Sequence, residues 1–553
     1  MRTIVKIFSV VMAAMLSLSA SAQSFGGLLF DHDGMMVGDM SELSQVGFGF
    51  GTARSMSMAG AFTSLGGDIS SMGINPAGLG MYRTNEFTIS PMMGFERSTS
   101  NAAPWGKNGR DRFSMSNVGF VFNVMESGRD KGLISVNFGI GYNRIADFNY
   151  RYGYHSESAP SVNPLRSIVD AFSLQLGSGD LFPAQPNGPL NYAPGDAYYW
   201  GGILAYNGYL LDAEEDAMGM YWTSANRIGA NAGVGHTMNV ESRGSIGEVD
   251  LSFGMNFSNK LYVGATLGLQ IVNWRRGFYY SEDYIYGGAA PQYEDGTLLE
   301  DPAEWMDYDQ VVKLSGTGIN FKVGVVYRPS SALRLGLAIH TPTTYSLDRS
   351  YQASMGTNFS QPYNKNDGDI TPILKDKGEN AWVMNSPTRL MLGASYTIGR
   401  MAVVSVDYER TWYNGMRMME VPFTFAIRPS DYRQMVKTAY KAANTLRLGA
   451  EFKPLPIMAL RLGYGLQSSM LRHNKADYVN SPQTYHTSVV SGGVGFSFGR
   501  TTLDFAYQNL LNKQTSYYLY WADDAYGDAN TESPRYTTKQ RRHYAVMTLG
   551  VRF

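Results

Sequence analysis

Apolar and polar residues alternate one for one along much of this chain. In ISVNFGIGYN, residues 134–143, the even-numbered positions are apolar or aromatic and the odd-numbered ones are small or polar. Successive side chains of a strand point to opposite faces, so the pattern predicts a β-strand with two unlike faces. The same alternation recurs in VDLSFGMNF, residues 249–257, and in LYVGATLGLQI, residues 261–271. In a membrane-spanning barrel, the apolar face is the one that contacts lipid.

Applied along the whole chain, the alternation predicts fourteen strands. They lie near residues 86–95, 115–125, 132–144, 246–257, 261–274, 317–328, 332–341, 388–398, 401–412, 444–453, 457–468, 488–499, 501–511 and 543–553. Most are close to the length of about nine to eleven residues that a tilted membrane strand needs. The predicted fold class is therefore all-β, a transmembrane antiparallel β-barrel of about 14 strands.

The lengths of the connections give an independent indication. Short turns such as ESGRDKG, SNK, RPSS, IGR and KPLP alternate with long loops from the second strand onward. Outer-membrane barrels have short periplasmic turns and long extracellular loops. The longest loop, about 145–245, contains NPLRSIVDAFSLQL and GGILAYNGYLLDAEEDAM, in which we expect short amphipathic helices. This loop is either a folded extracellular cap or a lid that captures a ligand.

Both ends of the chain carry targeting signals. Basic residues, an apolar run and Ala20-Ser21-Ala22 predict a signal peptide over residues 1–22. The last strand ends the chain on Phe553, which resembles the C-terminal signature by which the barrel-assembly machinery recognises outer-membrane barrels. We therefore expect the protein in the outer membrane of a Gram-negative bacterium, with outer-membrane lipid and that machinery as partners.

Composition excludes several kinds of chemistry. The chain has no Cys, which excludes disulfides, a lipoprotein anchor and thiolate metal sites. Its 46 basic and 47 acidic residues give no basic field for nucleic acid. The GFSFG stretch at 495–499 matches GxSxG but continues a strand alternation, so it is not a nucleophile elbow. We expect no catalytic residues, no metal site, no cofactor and no enzymatic activity.

The predicted barrel leaves space in its lumen. Fourteen strands lie between the eight of a self-filled barrel and the about sixteen to eighteen of an open porin. Many inward positions are Gly, among them Gly139, Gly141, Gly254, Gly264 and Gly463. Residues 23–85 form no convincing strand and precede the first one, so they are the predicted hatch, and 86–553 are the barrel.

The sequence SSMGINPAGLGMY, residues 70–82, resembles the N-terminal hatch of the FadL/TodX (OmpP1) family of outer-membrane transporters for hydrophobic compounds. The likeness extends to HTPT at 340–343 and to the hairpin SPTRLMLGASYTIGRMAVVSVDYERTWY. It implies a fourteen-stranded barrel with an internal hatch, which binds long-chain fatty acids or aromatic hydrocarbons. The hatch or gate residues carried over from the family are Asn75, Pro76, Ala77, Gly78 and Leu79.

The resemblance also implies that ligands leave sideways beside a kinked third strand. Gly139 and Gly141 lie on the inward face of this strand, and Gly tolerates a kink. The alternative is that these two glycines only make room for the hatch.

Inward-facing charges are the remaining candidates for ligand binding. They are Asp250, Lys322, Arg334, Arg389, Asp407, Arg447, Glu451, Arg461 and Asp504. Both signs occur, so one reading is an ion-pair network that ties the hatch to the wall. The other is that Arg334 or Arg461 binds the carboxylate of a fatty acid.

The sequence thus predicts passive, hatch-gated uptake of long-chain fatty acids or other hydrophobic molecules. The alternatives are a surface binding or assembly component of protein secretion, a receptor for haemin or another hydrophobic ligand, and a general porin. The expected partner in uptake is a hydrophobic small molecule, fatty acid or hydrocarbon.

Overall fold

The computed structural model describes most of the chain. The described residues are 32–45, 47–100, 108–128, 130–156, 167–178, 182–186, 188–190, 200–216, 219–293, 295–360, 382–420, 429–472, 483–484, 486–518, 521–523, 530–532 and 535–553. The predicted signal peptide and the first residues of the predicted hatch, 23–31, lie outside this range. None of the described helices has the length and apolar character needed to cross a membrane.

The described residues include six α-helices and two 3₁₀ helices, all of them short. The α-helices are α1 (His32–Ser44), α2 (Ala53–Ser57), α3 (Ser71–Ile74), α4 (Ile168–Ser178), α5 (Trp200–Asn207) and α6 (Pro429–Ala439). The 3₁₀ helices span Pro76–Met81 and Tyr413–Gly415.

Strands make up most of the described chain. They are β1 (Glu86–Ser100), β2 (Asn108–Glu126), β3 (Leu133–Asp147), β4 (Tyr150–Ser156), β5 (Asp212–Asp216), β6 (Gly219–Thr223), β7 (Gly233–Phe257), β8 (Leu261–Ile285), β9 (Ala303–Tyr327), β10 (Leu333–His340), β11 (Thr344–Phe359), β12 (Trp382–Asn385), β13 (Arg389–Ile398), β14 (Ala402–Trp412), β15 (Arg417–Glu420), β16 (Ala442–Leu455), β17 (Met458–Gln467), β18 (Gln483–Thr484), β19 (Thr487–Phe498), β20 (Thr501–Tyr518), β21 (Trp521–Asp523), β22 (Asn530–Glu532) and β23 (Arg535–Arg552).

The strands close into an antiparallel barrel with fourteen wall positions, because β1 pairs with β23. Some positions are filled by two collinear strands, such as β10 with β11 and β12 with β13. The HTPT sequence lies at the break between β10 and β11. The predicted fold class is confirmed. Neighbouring strands are hydrogen-bonded to each other around the described part of the wall. The long unpaired edge that remains there is that of β2 at residues 108–116.

The outside of the barrel is an apolar belt. Outward side chains that alternate with buried inward ones include Ile140, Phe253, Leu269, Phe321 and Leu448, each about two-fifths exposed. A closed barrel with such a belt has the surface of an outer-membrane protein, whose strands alternate apolar residues toward lipid with smaller or polar residues toward the lumen.

Several strands are longer than predicted. The strands β7, β8 and β9 each have 25 residues, and β23 begins at Arg535 rather than near 543. The alternation continues past the membrane thickness, so these strands rise beyond it on the side of the long loops. There, α4, α5 and the β5–β6 hairpin pack on the long strands in the largest apolar cluster. The predicted helices of the longest loop are therefore confirmed, although its last part belongs to β7.

Residues 47–82, which we call the luminal segment, fill the lower part of the lumen. Inward glycines lie against it so closely that an added Cβ would overlap it. These contacts involve Gly139, Gly141, Gly254, Gly264, Gly393, Gly449, Gly463 and Gly493. The small inward residues therefore provide the space in which this segment packs.

Candidate functional site

A cavity of about 360 Å³ lies above the luminal segment, between the helix α1 and the upper ends of the wall strands. Its wall is rich in aromatic side chains, which are Phe48, Phe50, Phe148, Tyr150, Tyr152, Tyr413, Tyr440 and Tyr544. Polar side chains of the upper strands, such as Gln467, Gln508 and Gln540, complete the wall. An enclosed, largely aromatic space with a few polar groups is the usual character of a small-molecule site.

Two arginines bring positive charge into this cavity. Arg542 lies over the ring of Tyr150, with its guanidinium carbon 5.3 Å from the ring centroid. Its NH1 donates to the Asp147 carbonyl at 3.3 Å, and its Nε has no hydrogen-bond partner among the described residues. Arg276 lies over Trp274 at 5.0 Å. Stacking on aromatic rings holds a guanidinium in place while leaving its edge free to donate hydrogen bonds.

The helix α1 supplies acidic side chains close to these two arginines. Asp39 accepts hydrogen bonds from Arg276 at 3.2 Å and from Arg349 at 3.3 Å. Glu42 lines the cavity itself. Burial raises the pKa of Glu42, while the positive charges of Arg542 and Arg276 act in the opposite direction. Glu42 and Asp147 are the acidic side chains that line the cavity with Arg276 and Arg542.

The wall has a gap beside this cavity. The strand β3 pairs with β2 only as far as Asn143, and no described strand pairs with residues 108–116 of β2 on that side. After Asp147 the chain turns inward, because the Asp147 carboxylate accepts a hydrogen bond from the Asn149 amide at 3.1 Å. The following strand β4 pairs with β7 alone. The chain itself stays on β7 in one register through residues 146–156, with the Phe148 amide donating to the Gly244 carbonyl at 3.1 Å, so the gap lies between residues 108–116 of β2 and this chain.

Hydrogen bonds hold β4 against the inner face of β1. The Arg151 amide donates to Glu96 Oε2 at 3.1 Å, and Ser98 Oγ donates to the Arg151 carbonyl at 2.6 Å. Glu96 and Ser98 are inward-facing residues of β1. The strand β4 thus pairs with β7 while its other edge contacts inward-facing side chains of β1 instead of β2, which leaves the edge of β2 open.

Gly139 and Gly141 do not lie at this gap. The strand β3 is continuous and paired through both residues. An added Cβ at Gly139 would meet Leu79 and Met72, and one at Gly141 would meet Met72. Their contacts therefore match the alternative that they make room for the luminal segment. A role in a lateral opening stays a prediction.

The predicted hatch motif fastens the luminal segment to the wall. Asn75 caps the 3₁₀ helix by accepting from the Ala77 amide at 3.1 Å, and its Nδ2 donates to the Thr63 carbonyl at 2.6 Å. The same Nδ2 lies 3.4 Å from the Val325 carbonyl of β9 and 3.4 Å from the Leu337 carbonyl of β10.

Pro76 supplies the first residue of the 3₁₀ helix, where its missing N–H costs nothing. Ala77, Gly78 and Leu79 are buried in it. Gly78 packs so closely on Ser71 and Gly66 that no side chain fits there. These contacts show how the motif packs, and its role as a gate stays a prediction.

Arg334 and Arg461 lie below the cavity rather than in it. Arg334 donates to the Leu65 carbonyl at 3.1 Å. Arg461 is buried and pairs with Glu451 at 2.6 Å and with Asp504 at 2.5 Å. Their partners lie in the wall and the luminal segment, which favours a structural role. Binding of a ligand carboxylate by either residue stays a prediction.

One ion pair among the described residues joins the luminal segment to the wall, and a wider ion-pair network between hatch and wall stays a prediction. Arg54 bonds Glu451 at 3.0 Å, and Glu451 also holds Arg461. Inward-facing charged side chains also form ion pairs within the wall in two places. Lys322 pairs with Glu248 and Asp250, and Glu409 pairs with Arg389 and Arg447. The Thr63 amide of the luminal segment donates to Asp407 at 2.7 Å.

No catalytic or metal-binding arrangement is present among the described residues. They contain no group of three or more His, Asp or Glu side chains that could hold a metal ion. Ser497 of the GxSxG match lies inside β19, where its amide donates to the Ile457 carbonyl. A strand interior lacks the sharp turn that exposes a nucleophile.

No protein-family model and no curated protein matches the chain. Among solved structures, a Pseudomonas aeruginosa FadL homologue is similar with a TM-score of 0.50 and 11% identity, over 91% of this chain and 99% of that one. The Ralstonia pickettii toluene transporter TbuX has a TM-score of 0.47 and 16% identity, over 92% of this chain and 99% of its own. The Pseudomonas putida toluene transporter TodX has a TM-score of 0.45 and 12% identity, with the same coverages. At such low identity, the first of these likenesses shows a shared fold.

The cavity arginines were missed in the sequence because they lie beyond the predicted strand ends. Arg276 follows the predicted end at 274, and Arg542 precedes the predicted start at 543. A signal was present, since both stand beside aromatic residues in NWRRGFYY and KQRRHY. Continuing the alternation past the membrane thickness would have placed both on inward faces.

Proposed function

We propose that this protein carries hydrophobic molecules passively across the outer membrane, from the cavity above the luminal segment to the bilayer. The observation that carries this proposal is the juxtaposition of the aromatic cavity with the unpaired edge of β2 at residues 108–116. Phe148 lines the cavity, and its neighbour Asn149 accepts a hydrogen bond from Arg112 of this edge at 2.5 Å. A molecule in the cavity therefore reaches the lipid without crossing the luminal segment. The solved structures of similar fold include toluene transporters, which agrees with this class of ligand.

The finer proposal is that long-chain fatty acids are among the ligands. Arg542 stands at the cavity with a free Nε and is stacked on Tyr150. A charge-assisted pair between a guanidinium and a carboxylate is about twice as strong as a neutral hydrogen bond. The aromatic walls provide the apolar contact for the chain. Arg542 thus takes the role that the sequence assigned to Arg334 or Arg461.

The luminal segment acts in this proposal as the hatch that closes the route to the periplasm. Backbone groups of this segment bond to side chains of several strands, including Thr63 to Asp407, Ala53 to Thr548 and Ala59 to Ser491. So many attachments around the wall favour exit of the ligand through the gap rather than past the hatch. The cap, with α4 and α5, is the surface that captures the ligand first.

The other roles have weaker support. No His lines the cavity among the described residues, so haemin would find no axial imidazole there. A general porin needs an open lumen, and the luminal segment occupies this one. A role in protein secretion stays a prediction that no particular side chain favours.

Mass spectrometry of the barrel purified in detergent tests the proposal. We expect a fatty acid or hydrocarbon in stoichiometric amount, and its loss when Phe148 and Tyr150 are replaced by Asp. In planar bilayers, the purified barrel should show no large steady conductance. A wide open pore, or a barrel that retains no hydrophobic molecule under any purification condition, would contradict the proposal.

A further inference from the structure

The barrel wall is interrupted a second time, at Pro91 in β1. On one side, the pairing of β1 with β2 shifts between Ser90 and Pro91, where β2 carries an extra residue, Ser116. On the other side, β1 pairs with β23 through Ile89 and again from Met92, so Ser90 and Pro91 are skipped. Proline has no N–H to donate to a ladder and occurs in sheets at bulges and edges. At this height, therefore, the β1–β2 ladder has a bulge, and the β1–β23 ladder lacks two pairs but keeps its register on either side.

An apolar groove of about 520 Å³ lies on the lipid side of this interruption. Its rim is formed by large side chains such as Met93, Phe113, Phe505 and Met547, and small Gly492 widens it. None of the residues that line it is charged. The one phenol in the groove, that of Tyr507, is bonded to His543 at 2.6 Å. The groove therefore suits an uncharged apolar molecule.

An apolar cluster lies directly behind the groove, inside the barrel. It contains Met92, Ala506 and Val546 of the wall and Ala53 and Met56 of the luminal segment. Met92, Ala506 and Val546 also line the groove, so the cluster and the groove share a wall.

The same cluster reaches the cavity. Phe50 and Tyr544 belong to it and stack edge to face, with ring centroids 5.2 Å apart. Both residues also line the cavity. Apolar side chains thus connect the cavity to the lipid-facing groove along a path that contains no charge.

We propose that the interruption at Pro91 is a second lateral passage, through which small uncharged aromatic hydrocarbons move between the cavity and the bilayer, with the groove as their binding site in the wall. This inference rests on the proposed transport function. The gap beside β3 has a polar rim, where Arg110 pairs with Glu241 at 2.6 Å and Arg112 bonds Asn149 at 2.5 Å. An ionised head group keeps charged partners at that gap but finds none among the residues that line the groove at Pro91. The two openings therefore separate ligands by charge.

A reversible lock across the interruption tests this passage, because the chain has no Cys of its own. The hydroxyls of Ser90 and Thr548 lie 2.8 Å apart across it, so Ser90→Cys with Thr548→Cys should form a disulfide on oxidation. The matched control is Ser252→Cys with Thr266→Cys, whose hydroxyls lie 2.7 Å apart across the continuous β7–β8 ladder. In both pairs the threonine also bonds the backbone of the luminal segment.

The readout is the initial uptake of radiolabelled toluene and of radiolabelled oleate by cells that produce each variant, oxidised and reduced. We expect oxidation of the Ser90–Thr548 pair to abolish the toluene uptake that the protein provides, and reduction to restore it. Oleate uptake should not change, and the control pair should affect neither substrate. Equal toluene uptake in the oxidised and reduced forms would overturn the passage. Wild-type uptake of neither substrate would instead overturn the proposed function, and the passage with it.

A second variant fills the groove without touching the lumen. Gly492 faces the groove, and the nearest atom to an added Cβ is Leu462 Cδ2 at 3.5 Å, so Gly492→Phe should fold. We expect it to lower toluene uptake but not oleate uptake. Ala394→Phe, on the outward face of β13, is the control and should lower neither. If the groove only holds a lipid acyl chain, Gly492→Phe will leave toluene uptake unchanged, which would also contradict the passage.

Discussion

The attachment of the luminal segment at Asn75 gives the sharpest prediction. The side chain is 1% exposed and serves two partners within the segment, the Thr63 carbonyl at 2.6 Å and the Ala77 amide at 3.1 Å. In Asn75→Ala, both buried groups lose their partner. Each such loss costs about 1–3 kcal/mol, so the segment is destabilised by about 2–6 kcal/mol. Because about 1.4 kcal/mol changes an equilibrium tenfold, the displaced segment becomes at least about tenfold more populated.

Conductance across planar bilayers measures this displacement, since an emptied lumen of fourteen strands conducts ions. We expect Asn75→Ala to show frequent openings where the wild-type barrel shows few. The control is Asn320→Ala, which removes a buried amide bonded at 2.7 Å to Glu248 and at 3.3 Å to Thr343, both in the wall. Pro76→Ala keeps the contacts of Asn75 and should leak less than Asn75→Ala. Equal, low conductance for Asn75→Ala and Asn320→Ala would refute the view that Asn75 holds the segment in place.

Three further substitutions separate binding from structure. Arg542→Ala should weaken oleate binding by about 10–100-fold, because it removes a charge-assisted bond worth about 1.5–3 kcal/mol. Toluene binding should not change. Equal loss of affinity for both ligands in calorimetry would contradict a binding site for the carboxylate of oleate. Arg461→Met should lower the thermal unfolding midpoint, because Asp504 loses its ion-pair partner and a buried charge left without one costs about 3–5 kcal/mol, while Glu451 keeps Arg54; a normal midpoint with weakened oleate binding would instead support the sequence hypothesis that Arg461 binds the ligand. Gly139→Val should raise the bilayer conductance by pushing Leu79 aside, while an unchanged conductance with impaired uptake would favour the role of Gly139 in a lateral opening.

The barrel was predictable from the sequence because its physics is local. Each membrane strand must show lipid an apolar face and turn its other face inward, so alternation marks it residue by residue. Inward glycines such as Gly264 and Gly463 also predicted a lumen that something else fills, and the backbone of residues 47–82 lies against them. Residues 75–79 lie in that segment, and their role as a gate stays a prediction.

The site was less predictable, because its residues come together only through the fold. Arg542 and Tyr150 are far apart in the sequence and meet where long strands rise above the membrane. Inward charge singled out Arg334 or Arg461 as ligand-binding candidates, because nothing in the sequence shows that Glu451 and Asp504 already pair with Arg461. The gap between β2 and residues 144–156 involves contacts of Asn149 with Asp147 and Arg112, which no periodic pattern reveals.

The most direct test of the central claim is uptake by intact cells. The initial rates of radiolabelled oleate and toluene uptake are compared between cells with this barrel, folded in the outer membrane as shown by heat-modifiable migration, and cells without it. The proposed function predicts faster uptake of at least one of the two hydrophobic molecules, with no increase for a polar solute such as glucose. Equal rates for both molecules with and without the folded barrel would contradict it.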